Sequence, residues 1–168
     1  MRYRKLGTTE LEVSEVGFGV RSVSTDWKMI IREDAGIALL RKAFDVGVSL
    51  FDTADSDRNG YGEKTLAKAL GKDRHATVIC TKFGYDFYDN VSAMGDKERP
   101  HQNFSPAFIR FACEQSLRRL NTDYIDLYQF HNPGIDVIER DDIFDALSDL
   151  VSEGKIRYFG VALGPGIG

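Results

Sequence analysis

The 168 residues carry a formal charge of −4, with 42% hydrophobic and 29% charged residues, ordinary proportions for one globular domain with a buried core. Acids and bases are interspersed, which argues against a nucleic-acid surface, and no run of about 18 apolar residues offers a membrane span. The N-terminus lacks the apolar core of a secretory signal, so a cytoplasmic protein is expected.

The first 15 residues predict a small hairpin, Arg2–Leu6 and Leu11–Ser14 around a Gly7-Thr8-Thr9 turn. Val16–Val20 follows as a short strand, and Val20–Ile31 is a polar, irregular connection containing Trp27. Asp34–Val46 has helical spacing, with Ile37, Leu40 and Phe44 on one face and Gly47 as a stop. Val48–Thr53 is the second strand. Gly62–Leu70 is the second helix, with Leu66, Ala69 and Leu70 inward and Gly71 as its cap.

Ala76–Lys82 is the third strand and holds Cys80. The third helix opens with Ser105-Pro106, an N-cap followed by proline at the first helical position. Its stripe runs Ile109, Ala112, Cys113, Ser116, Leu117, Leu120, and Arg118-Arg119 near its end complement the helix dipole. Cys80 and Cys113 read as reduced core thiols, with neither metal spacing nor a disulfide framework. Tyr124–His131 is the fourth strand. Ile143–Glu153 is the fourth helix, with Ile143, Leu147, Leu150 and Val151 on one face, and Ile156–Leu163 is the fifth strand.

Strict alternation of strand and helix predicts parallel strands joined by right-handed crossovers. An open doubly wound sheet and a (β/α)8 barrel both satisfy it. Glycines opening the first helix, as in a dinucleotide-binding open sheet, are missing, and the hairpin suits a plug under a barrel. The expected fold is therefore α/β, a partial (β/α)8 TIM-type barrel of about five parallel strands and four helices behind an N-terminal hairpin. A complete barrel takes about 250 residues. The expectation is one domain over 1–168, truncated before strands six to eight.

In such a barrel the active site lies at the C-terminal ends of the strands. Asp52, Lys82 and His131 end three successive apolar strands. Singly, each has a plain reading as a turn cap, a solvated strand end or a rim histidine. Three different polar residues converging on one mouth favour a site.

The segments "LFDTAD", "ICTKFG", "SLRRLNTDYIDLYQFHNP" and "LVSEGKIRYFGVA" resemble the aldo-keto reductases, in that family's order and spacing, from Arg2 to about Gly164. The resemblance implies hydride transfer between NADPH or NADH and a small carbonyl or alcohol substrate. It also implies a catalytic Asp-Tyr-Lys-His tetrad, of which Asp52, Lys82 and His131 match by position. Reducing a carbonyl leaves an alkoxide, which needs a proton donor and a positive neighbourhood. A tyrosine, of pKa about 10 unperturbed, serves if a nearby ammonium favours its phenolate. Lys82 would be that ammonium, held by Asp52, with His131 orienting the substrate oxygen.

The tyrosine is the difficulty. In the family it lies five residues after the aspartate and is followed by glycine. Counting without a gap through "SLFDTADSDRNGYGE" puts Asp57 in that place and Arg58 in the glycine's. A carboxylate there, ionised at neutral pH, cannot donate the proton and repels a developing alkoxide. Tyr61 substitutes only if the loop bends differently.

Other departures point the same way. Ala162 and Leu163 stand where the family's serine and asparagine hold the nicotinamide carboxamide, and strands six to eight carry its phosphate contacts. Weak or absent turnover follows, or a non-catalytic module, or a half-barrel that forms a homo-oligomer through exposed strand edges. Between Phe83 and Phe104, Tyr85, Phe87 and Tyr88 are candidates for a pocket wall or for pins holding a long loop; Trp27 has the same two readings.

Overall fold

The computed structural model describes residues 1–24, 31–88 and 100–164. Strands β1 (Tyr3–Lys5) and β2 (Glu12–Ser14) form the antiparallel hairpin, with Tyr3 opposite Ser14. Leu11 and Val13 of its second arm pack on Val78, Leu50 and Tyr158. Leu50 and Val78 begin their strands, so the hairpin covers the N-terminal ends of the sheet.

Behind it run β3 (Phe18–Gly19), α1 (Arg21–Ser24), α2 (Glu33–Asp45), β4 (Leu50–Asp52) and α3 (Tyr61–Leu70). A 3-10 turn (Gly71–Ala76), β5 (Val78–Phe83), α4 (Pro106–Leu120), β6 (Ile125–His131), α5 (Ile135–Ile138), α6 (Asp141–Ser152) and β7 (Ile156–Ala162) complete it. The sheet is parallel throughout, in the order β3-β4-β5-β6-β7. Strand order equal to chain order, with a helix after each strand, is the succession that opens a (β/α)8 barrel. No helix among the described residues is long and apolar enough to cross a membrane.

Helix boundaries follow local chemistry. Ser105 Oγ accepts from the Phe108 amide, and Pro106 opens α4, whose buried face is the expected stripe from Ile109 to Leu120. Gly47, at φ 97°, turns the chain out of α2 into β4. Gly71 does not end a helix in the left-handed region; it continues from α3 into the 3-10 turn at φ −54°. Val151 is exposed and Ala146 takes its place beside Ile143, Leu147 and Leu150. The physical reason is angular: at 100° per residue, position 151 lies at the margin of that face. Helices α1 and α5, one turn each, add to the four expected ones.

One core lies between sheet and helices. Phe51, Ile79, Phe83, Tyr128 and Phe130 pack against Leu40, Leu66, Ile109, Leu117, Ile143 and Leu147. Because side chains alternate along a strand, the residues beside them, Asp52, Lys82 and His131, face the other way. Cys80 and Cys113 are buried free thiols, each pushed by burial up to about 12. Trp27 lies outside the described residues.

Candidate active site

Three adjacent strands end on one mouth. Lys82 Nζ, from β5, lies 2.7 Å from Asp52 Oδ1 at the end of β4 and 2.8 Å from the Thr53 carbonyl oxygen. His131 ends β6, the next strand, and with Asp52 and Lys82 lines a cavity of about 230 Å³. The ends of the two strands beside β5 thus bring Asp52 and His131 to the cavity that Lys82 lines.

The loop after β4 decides the fourth position. It stays laddered on β5, with the Thr53 amide donating to the Cys80 carbonyl (2.9 Å) and Asp55 to the Lys82 carbonyl (3.3 Å). This carries Ser56 and Asp57 over the mouth, where Ser56 Oγ lies 3.4 Å from His131 Nδ1. Asp57 lines the cavity of Lys82 and His131, and a second cavity of about 170 Å³ beside it. Arg58, Asn59 and Gly60 then take positive φ in succession (46°, 54° and 81°), and α3 starts at Tyr61. Glycine would carry no strain at position 58; arginine does. Tyr61 lines neither cavity, and its ring lies under the Arg58 guanidinium, 5.0 Å away. Asp57 thus lines the mouth, and Tyr61 does not.

The Asp57 carboxyl is not an ordinary surface acid. Burial raises its pKa above the usual carboxylate range, Arg21 and Lys82 oppose the rise, and Asp52 and Glu63 add to it.

Beneath the loop is a second charged group. Glu63 is buried, accepting from Thr81 Oγ1 at 2.7 Å and ion-paired with Arg119. Arg119 also donates to the Tyr88 hydroxyl (3.1 Å) and Ser116 Oγ (3.2 Å). So Arg119 does more than complement a helix dipole: it ties α4 to α3. Asp55 is fully buried close by, and neither of its carboxyl oxygens has a hydrogen-bond partner among the described residues. Burial first, and Glu63 second, push its pKa well above the usual range, and the Arg119 guanidinium opposes them.

The aromatic loop divides. Tyr85 lines the second cavity, sits edge-on to the His131 ring at 4.9 Å, and accepts from Asn132 Nδ2 at 3.2 Å. Phe87 and Tyr88 stack on each other, Tyr88 meets Phe108 and Phe111 of α4, and both are pins rather than wall. Sequence reasoning passed over Arg21 and Asn132, which line both cavities. The available signal was position, since Arg21 follows the first strand as Asn132 follows the fourth. Ala162 and Leu163 close the far side of the mouth.

Comparison with known proteins bears on the family and the fold. The model of the Aldo/keto reductase family matches residues 15–164. An uncharacterized oxidoreductase, YqkF, of Bacillus subtilis is 36% identical over 162 residues, 96% of this chain and 49% of its own length. Probable aldo-keto reductase 1 of Glycine max is 35% identical over 159 residues, 94% of this chain and 44% of its own. Among solved structures, the holo form of aldo-keto reductase AKR11C1 from Bacillus halodurans superposes with a TM-score of 0.84 at 38% identity, over 97% of this chain and 50% of that one. The glycerol dehydrogenase AKR11B4 from Gluconobacter oxydans gives 0.80 at 29% identity, over 96% and 48%. The chain thus spans about half the length of the curated relatives it matches. Sequence and fold agree from the first sheet strand to the end of β7, and the chain belongs to the aldo/keto reductase family.

Proposed function

We propose that these residues form the substrate end of an oxidoreductase site that exchanges hydride between NADPH or NADH and the carbon of a small aldehyde, ketone or alcohol. The observation that carries this reading is the Lys82–Asp52 pair opening onto the same cavity as His131. Lys82 places positive charge where a substrate oxygen gains negative charge, in a part-buried setting where such charge counts for more than in water. Asp52 and the Thr53 carbonyl hold the ammonium in place, and His131 orients the oxygen.

The cavity lining suits the ring of a nicotinamide rather than its carboxamide. Ala162 and Leu163 offer an apolar face to a flat ring, but no side-chain hydrogen bond to its carboxamide. When bound, that group supplies or accepts the hydride; the protein's residues hold the substrate oxygen and its proton. The phosphate contacts that the resemblance assigns to strands six to eight support a further proposal, that the 168-residue chain alone binds cofactor weakly and turns over poorly.

The test is a fluorescence titration with NADPH and with NADH, followed by turnover of an aromatic aldehyde, for the chain and for Lys82→Met. Weak saturable binding with slow turnover that Lys82→Met abolishes is expected. Turnover indifferent to Lys82→Met, or no binding of either dinucleotide, overturns the reading.

We also propose a homo-oligomer, supported by the apolar side chains that the outer strand β7 and its end leave exposed, Phe159, Val161 and Leu163. Light scattering across concentration checks it; a monomer throughout is the contrary result.

A further inference from the structure

Resting on the nicotinamide reading above, we propose that Asp57 is the proton-exchanging group of this mouth: as a carboxylate it takes the hydroxyl proton of an alcohol substrate, and as the neutral acid it returns that proton in the reverse direction. The geometry is that of the mouth itself. The ladder from Thr53 to Asp55 on β5 sets Asp57 in the cavity of Lys82 and His131, and the three positive-φ residues after it turn Tyr61 away. Among the described residues no other loop acid lines that cavity.

A tyrosine is almost wholly protonated at neutral pH and is suited to donating. A carboxylate is suited to the reverse. An acid unable to serve a developing alkoxide is, in its ionised form, a base for the alcohol. The step balances as follows. The hydroxyl proton passes to an Asp57 carboxylate oxygen, the oxygen's freed electron pair forms the C=O bond, and the carbinol hydrogen leaves with its electron pair as hydride. The co-reactant that takes the hydride is an oxidised nicotinamide dinucleotide. Lys82 and His131 meet the oxygen while it carries negative charge.

The groups that face Asp57 set its working range. Arg21 on α1 and Lys82 on β5 favour the anion, while Asp52 at the end of β4 and Glu63 on α3 disfavour it; the His131 ring shares the cavity. Burial raises the carboxyl's pKa above the usual carboxylate range, which makes the anion a better base while it remains populated. Oxidation then rises with pH through the Asp57 midpoint, and any reduction falls through the same midpoint as the neutral acid is lost.

Two measurements on the intact chain test this. The first needs no cofactor: the side-chain carboxyl carbon resonances are titrated by NMR, with and without 2,2,2-trifluoro-1-phenylethanol as an acidic alcohol probe read by fluorine NMR. The probe should bind about five-fold or more tightly above the Asp57 midpoint, since a hydrogen bond to an anion is roughly twice as strong as a neutral one. Asp57→Asn should remove that pH dependence and Asp57→Glu should keep it. The second incubates the chain with an alcohol deuterated at its carbinol carbon and NADP or NAD, reading label on the nicotinamide by mass spectrometry. Label transfer should fall about 10²-fold or more in Asp57→Asn. Probe binding equal in the chain and in Asp57→Asn, or label transfer that is detected and equal in the two, overturns the role of Asp57. Probe binding that follows Asp57 with no label on either dinucleotide supports the contact and overturns the nicotinamide reading.

Discussion

Lys82 Nζ lies 2.7 Å from Asp52 Oδ1, and the two partners are unequally enclosed: the lysine side chain is 13% exposed and the aspartate 50%. Removing one partner is therefore not equivalent to removing the other. Asp52→Ala leaves a part-buried ammonium with the Thr53 carbonyl alone and should cost about 1–3 kcal/mol. Lys82→Met leaves a carboxylate that water can reach and should cost below about 1 kcal/mol. Urea unfolding of the two variants checks the order; equal losses would show that enclosure of the lysine does not set the cost.

Asp55 should make stability fall as pH rises. Its pKa is raised in the fold, so between the unfolded and folded values the folded chain holds a proton the unfolded chain has lost. The sign is thus destabilising with increasing pH above about 3.9, with a limiting slope of about 1.4 kcal/mol per pH unit from this group. Asp55→Asn should flatten that slope and be more stable than the parent at neutral pH, with the advantage gone below the unfolded value. Parallel pH–stability curves for parent and variant would contradict it.

At the other end of the sheet, Asp126 is 1% exposed and receives Arg74 at 2.7 Å, Arg157 at 3.0 Å and the Ile79 amide at 3.0 Å. Arg74 is 12% exposed and Arg157 43%. Asp126→Ala leaves the enclosed Arg74 guanidinium with uncharged acceptors only, Thr122, Thr77 and Tyr124, and should cost about 2–4 kcal/mol, whereas Arg157→Ala, with Arg74 still in place, should cost under about 1 kcal/mol. Thermal unfolding of both separates the two cases.

At Gly60 an added side chain would meet the Arg119 guanidinium. At φ 81°, an added Cβ runs into the Arg119 side chain, which holds Glu63. Gly60→Ala should cost about 2 kcal/mol or more, combining left-handed strain with a displaced ion pair. A denaturation midpoint unchanged from the parent would show that Arg119 moves aside freely.

Much of the architecture was readable in the sequence, because strands and helices announce themselves by periods of two and 3.6 residues. The alternation predicted parallel strands in chain order, Ser105-Pro106 marked the start of α4, and period two set Asp52, Lys82 and His131 on the face opposite Phe51, Phe83 and Phe130. Their convergence needed only neighbouring strands. What the tertiary structure alone decided lies in loops and long-range partners. Whether Asp57 or Tyr61 faces the mouth depends on the ladder to β5 and on three left-handed residues, which no periodicity encodes. Arg119 reads locally as a helix-end cation, yet it is spent on Glu63 of another helix; Tyr85 reaches His131 while Phe87 and Tyr88 go to α4. A side chain's type is local, but the charge and ring it meets are set by chain segments far away in sequence, and so are its pKa and its part in the site.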